Sequence, residues 1–185
     1  MCTKIDTIGR TRRSIPEVLT PERIRELLDY DPETGVFRWR IKAQGIRAGH
    51  QTGYVDQTNG YVTIRIDGKK RYAHRLAWAY VTGQWPKTGI DHLDRDRTNN
   101  RFANLRQANR SENACNRPKQ RNSSTGVKGV YLHRQSGRFN ARISKNGVEH
   151  SLGMYATVDE AAEARRIAEP IYHGEFSPMS NPPAF

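Results

Sequence analysis

The 185-residue chain carries 31 lysines and arginines against 19 aspartates and glutamates, a formal charge of +12, and only 35% of its residues are hydrophobic. No apolar run approaches the ~20 residues a bilayer requires, and MCTKIDTIGRTRRS lacks the apolar stretch of a secretory signal. Two cysteines, Cys2 and Cys115, build neither a disulfide framework nor a four-ligand zinc site, so the expectation is a soluble cytoplasmic protein drawn to polyanions.

Residues 1–19 show no hydrophobic period and read as a flexible tail. Thr20-Pro21-Glu22 is a helix start: Thr20 as N-cap, Pro21 at the first helical position, and Ile24, Leu27 and Leu28 on one face. DYDPETG is turn chemistry, VFRWR alternates as a short strand, and residues 42–58 are too rich in Gly and Gln to assign. Asn59-Gly60 leads into the strand YVTIRI, and Asp67-Gly68 turns it into KKRYA. HRLAWAYV (74–81) is an apolar helix broken by Gly83 and Pro86. GIDH is a strand end, LDRDRTNNRFAN a polar loop, LRQA a second strand, and NRSENACNR a helix that stops before Pro118. RPKQRNSST (117–125) reads as a basic linker.

Beyond it, GVKGVYLHR, RFNARIS and EHSLGMY alternate as three strands, with Ser136-Gly137 and Asn146-Gly147 as hairpin turns. Thr157 caps the helix VDEAAEARRIAEPIY, whose Ala161, Ala164 and Ala168 are small enough to lie on a sheet. The fold class is therefore α+β, in two small modules: 20–121, and 122–176 followed by a tail at 177–185. Charge divides between them, with 24 basic and 13 acidic residues in 1–121 but 7 and 6 in 122–185. Within the second module the strands are basic and the helix acidic, so clustering favours phosphate binding over mere solubility.

One constellation carries chemistry. Asp91-His92 ends a strand, Asn104 follows His92 by 12 residues, and Asn113 lies 9 further on, inside a helix. A carboxylate and an amide oxygen are hard ligands of the kind Mg²⁺ or Mn²⁺ accepts, and a histidine beside them titrates near neutrality. Asn and Asp also fill loops by bonding to local backbone, so spacing alone leaves a purely structural loop open.

The segments HRLAWAYVTGQWP, IDHLDRDRTNNRFANLR and SENACNR, in that order and spacing, resemble the HNH endonuclease family, in its phage and homing-endonuclease branch with Asn as third signature residue. The resemblance implies a ββα-metal finger that hydrolyses phosphodiester bonds of double-stranded DNA with Mg²⁺ or Mn²⁺, no small-molecule cofactor and no membrane, as a monomer or weak dimer. By it, His92 is the general base, Asp91 and Asn113 are metal ligands, and Asn104 pins the loop between the strands. Asp94 and Asp96 fall in the solvated loop, and no His or Cys pairs nearby have zinc-finger spacing. A non-catalytic DNA-binding regulator using the finger as scaffold, and an RNA-binding protein, are the competing readings.

Residues 126–176 resemble the Apetala, or ethylene-response-factor, type of DNA-binding domain, which implies a three-stranded sheet backed by one helix. Alternation places Arg138, Asn140, Arg142 and Ser144 on one face of the middle strand, where a sheet can present them to a groove, and Phe139, Ala141 and Ile143 toward the helix. Lys128 matches a DNA-contacting basic position of that family. Glu149 and Ser151 stand where it usually has Arg and Trp, so its base preference does not transfer.

Overall fold

The computed structural model describes residues 18–42, 45–116 and 124–177, together with the backbone of strands β1 (Lys4–Ile5) and β2 (Thr11–Arg12), which pair antiparallel. Most of the expected N-terminal tail, residues 117–123 of the expected linker, and residues 178–185 of the expected C-terminal tail lie outside the described residues. The chain divides into two compact units, Met1–Pro86 with Arg97–Ala103, and Lys87–Asp96 with Asn104–Phe185. The division groups the 87–96 and 104–116 segments with the C-terminal strands rather than with residues 20–86.

In the first unit, helix α1 (Pro21–Leu27) starts where the sequence predicts. Thr20 Oγ1 accepts from Arg23 N–H at 3.2 Å, a cap worth about 1 kcal/mol, and Pro21 lies within the first turn. Its Ile24 and Leu27 are buried. The DYDPETG run, which carries turn chemistry, begins within a strand, β3 (Leu28–Asp31), which pairs antiparallel with β4 (Val36–Trp39). The reason is burial: Leu28 and Tyr30 alternate inward onto Phe37, and the Tyr30 and Phe37 rings lie 4.6 Å apart. The Tyr30 hydroxyl donates to the Asn100 carbonyl at 2.7 Å, and burial pushes its pKa well above the phenol's ordinary value.

The unassigned stretch contributes two short strands, β5 (Gln51–Thr52) on β4 and β6 (Tyr54–Val55) on β7 (Val62–Ile66). β7 pairs with β8 (Lys69–Tyr72) across the Asp67-Gly68 turn. Helix α2 (Ala73–Thr82) follows and ends at Gly83, whose φ of 72° is the left-handed conformation glycine adopts at least cost. His74 is buried against the rings of Tyr61 and Tyr72, at 4.9 and 5.4 Å.

In the second unit, β9 (Gly89–His92) and β10 (Leu105–Ala108) form an antiparallel pair with Asp91 opposite Arg106 and His92 opposite Leu105. Helix α3 (Arg110–Cys115) follows at once. The three strands β11 (Val130–His133), β12 (Arg138–Lys145) and β13 (Val148–Tyr155) form one antiparallel sheet, with a bulge where the pairing passes Ala141 and Arg142. Helix α4 (Val158–His173) packs on this sheet, starting in a capping box of Thr157 and Glu160. Val130, Ala141 and Ala161 make the centre of that core, with Phe139, Leu152 and Tyr155 around it. The whole is a mixed α+β fold of small antiparallel sheets. Among the described residues, no helix is long and apolar enough to cross a membrane.

Candidate active site

α3 has only six residues, too few to hold itself together. Side chains secure both ends. Asn109 Oδ1 accepts from the N–H groups of Ser111 and Glu112, while Glu112 Oε2 accepts from Asn109 N–H, closing a capping box. At the other end Lys128 Nζ donates to the carbonyls of Ala114 and Cys115, at 3.2 and 2.7 Å. Burial, with the neighbouring Arg165 guanidinium second, pulls the Lys128 pKa below its ordinary value.

The helix lies close along β9. A Cβ on Gly89 would stand 3.0 Å from Asn113 Nδ2 and 3.1 Å from the Ala108 carbonyl, so a bare backbone at this position admits the Asn113 amide. Asn113 Nδ2 donates to the Ala108 carbonyl at 3.3 Å, and its Oδ1 accepts no hydrogen bond among the described residues. One turn on, Asn116 Nδ2 donates to both oxygens of Asp91, at 3.2 and 3.1 Å, and to the His92 carbonyl at 2.9 Å.

Asp91 and His92 are buried, with His92 only 4% exposed. Arg106 Nε and Nη2 both donate to Asp91 Oδ2, at 3.0 and 2.8 Å, in an ion pair whose side chains are nearly covered. Arg106 is itself fixed from the far end of the chain: its Nη1 donates to the Glu175 carbonyl, and its guanidinium lies 4.1 Å from the centre of the Phe176 ring. The His92 carbonyl also accepts from Arg95 N–H at 3.0 Å, and Arg95 Nε donates to Asn116 Oδ1 at 3.2 Å.

Asn104 closes the loop between the strands. Its Oδ1 accepts from Asp94 N–H at 3.1 Å, its Nδ2 donates to Asp94 Oδ1 at 2.9 Å, and its carbonyl accepts from Leu93 N–H. Asp94 Oδ1 also takes Asp96 N–H, which ties this carboxylate into the loop.

The donor set fits a hard divalent cation that keeps most of its waters. Asp91 Oδ2 is filled by Arg106 and Asn116, but Oδ1 accepts from Asn116 alone and keeps a lone pair. The Asn113 Oδ1, one helical turn before Asn116, is a second hard acceptor. No group of three or more His, Cys, Asp or Glu side chains gathers among the described residues.

On the C-terminal sheet, Arg138, Asn140, Arg142 and Ser144 alternate with Phe139, Ala141 and Ile143 along β12, and Ala141 and Ile143 are fully buried. Arg138 Nη2 donates to the Met154 carbonyl, and Arg142 pairs with Glu149 at 2.8 Å. Asn140 sits between Tyr131 and Met154 across the sheet, its Oδ1 buried and without a partner among the described residues. Lys128 is turned onto α3.

Three residues escaped sequence reasoning: Arg106, Asn116 and Arg165. Asn116 follows Asn113 by one helical turn, and Arg165 falls between Ala161 and Ala168 on the helical period, so both carried a signal. Arg106 carried none, because its partner is set by strand register.

Residues 71–115 match the family model described as HNH endonuclease. An uncharacterised HNH endonuclease of Acanthamoeba polyphaga mimivirus is 24% identical over 150 residues, spanning 81% of this chain and 70% of that protein. No solved structure matches. The matched segment runs from the end of β8 through α3 and takes in Asp91, His92, Asn104 and Asn113.

Proposed function

We propose that the protein is a metal-dependent endonuclease that hydrolyses phosphodiester bonds of double-stranded DNA, with β9, β10 and α3 as its ββα-metal finger. The observation that carries this reading is the seating of Asp91 and His92, at the end of β9, against the end of α3, where the Asn116 amide donates to the Asp91 carboxylate and to the His92 carbonyl.

Asp91 Oδ1 and Asn113 Oδ1 would hold Mg²⁺ or Mn²⁺. When bound, such a cation supplies Lewis-acid stabilisation of the charge on the phosphate and on the departing 3′ oxygen. The protein's own groups do the rest. His92, its backbone fixed by Asn116 and Arg95, takes the proton from the attacking water. Arg106 and Asn116 keep the Asp91 carboxylate in one orientation, and Asn104 holds the loop that joins the two strands. The outer face of the C-terminal sheet, with Arg138, Asn140, Arg142 and Ser144, supplies contacts to the duplex and a preference among sites, in the manner of an Apetala-type domain. Lys128 contributes charge from beneath.

Incubation of supercoiled plasmid with Mg²⁺ or Mn²⁺, against an EDTA control, tests the reading. Metal-dependent conversion to open circle is expected, and His92→Ala should stop it while still shifting duplex DNA in a gel. Plasmid bound but uncut by the wild type in either metal would instead leave a DNA-binding scaffold.

A further inference from the structure

A cavity of about 540 Å³ lies within the second unit, between α3 and the three-stranded sheet. Arg110, Lys128, Arg142 and Arg165 line it, against one carboxylate, Glu149. That carboxylate is already engaged by Arg142 at 2.8 Å. Lys128 donates to the backbone carbonyls of Ala114 and Cys115.

Arg165 is the decisive residue. Its side chain is 5% exposed, and its ion pair with Glu169 is long at 3.3 Å. Its Nε is buried and makes no hydrogen bond among the described residues, and its buried Nη1 has only that long contact to Glu169. Buried guanidinium nitrogens are normally satisfied, because leaving them bare forfeits their hydration with nothing in exchange.

The backbone makes room for this arrangement. Gly129 has a φ of +75°, and a Cβ there would meet the Arg142 carbonyl at 2.5 Å and Arg165 Nε at 2.6 Å. Only a glycine lets the guanidinium pass beneath the start of β11 to reach the cavity. Cys115 adds no negative charge, since burial raises its pKa and keeps it a neutral thiol.

We infer that this cavity is a phosphate-binding site, taking a backbone phosphodiester of a nucleic-acid strand against Arg165, Lys128 and Arg142. A guanidinium fork matches phosphate oxygens in geometry as well as charge. The volume suits a ligand of nucleotide size rather than a bare ion. The site is separate from the Asp91 constellation, and the inference stands whether or not the finger cuts.

The experiment uses the full chain in EDTA, so that cleavage plays no part. Thermal melts with inorganic phosphate, against chloride at equal ionic strength, should show a saturable rise for the wild type that Arg165→Gln loses. Duplex-DNA affinity by anisotropy across a NaCl series should then lose about 0.9 from its log–log salt slope in Arg165→Gln, the share of one phosphate contact. Should Arg165→Gln fail to fold, Arg142→Gln, on the exposed rim, is expected to weaken both effects. A melt rise lost in the variant with an unchanged salt slope keeps the phosphate site but overturns its assignment to a strand, in favour of a free phosphate or mononucleotide. No rise above the chloride control, with identical slopes, overturns the proposal.

Discussion

The amide of Asn116 bonds both oxygens of Asp91 and the carbonyl of His92, so a single side chain latches the end of α3 to the end of β9. It also orients the residue assigned to hold the metal and the backbone of the residue assigned as base. Asn116→Ala should leave Asp91 Oδ1 without a donor and lower stability by about 1–3 kcal/mol. Urea denaturation checks this, and an unchanged midpoint would mean the latch is not formed.

His92→Ala should reduce cleavage by roughly 10²–10⁴-fold while leaving duplex affinity near that of the wild type, since binding rests on many phosphate contacts. Plasmid nicking and gel shift, run side by side, decide it. Wild-type nicking by this variant would remove His92 from the role of base.

Asp91→Asn and Asn113→Ala should each raise the metal concentration needed for half-maximal nicking, and isothermal titration with Mn²⁺ should show weaker binding. Asp91→Ala should do more, because it strands Arg106 in a covered site, at a cost of about 3–5 kcal/mol. Metal titrations superimposable on wild type for both milder variants would show the ligand set to be wrong.

Phe176→Ala removes the ring under Arg106 and should destabilise the second unit by about 0.5–2 kcal/mol. A chain ending at Arg121 lacks this contact, the Glu175 carbonyl and Lys128, and should nick more weakly than the full chain. Equal nicking by the two would show that the Arg106 contacts carry no functional weight.

Burial holds the His173 pKa below its ordinary 6.5, although the Ser144 carbonyl, which accepts from the ring at 3.0 Å, pulls the other way. The nearby cations Arg165 and Lys128 lower it further, and Glu169 opposes them. The folded state therefore binds this proton less readily than the unfolded chain. The contribution is fully present above pH 6.5 and is lost as the pH falls through the unfolded value toward the folded one. Melting temperature should drop across that window in the wild type, and His173→Gln should flatten the slope.

Patterns of local origin were legible in the sequence. The Thr20 and Thr157 caps, the Asp67-Gly68 turn and the alternation of β12 each depend on residues a few positions apart, and each appears where expected. Strand β3 was hidden because DYDPETG opens with turn residues while Tyr30 answers to Phe37 and Asn100, the latter 70 positions away. Along the matched segment the spacing of Asp91, His92, Asn104 and Asn113 could be read directly. What surrounds them could not. Arg106 reaches Asp91 through strand register and is steadied by Phe176, and no local period links those three.

The hold of Lys128 on the last carbonyls of α3 bears on engineering. Exchange of the C-terminal sheet for another would be the direct way to test its part in DNA binding. Yet the cation that finishes the six-residue helix travels with the sheet, so an exchange made anywhere before position 128 removes it. A chimera should keep α3 folded only when the incoming piece brings its own lysine to that place, or when the graft begins beyond it.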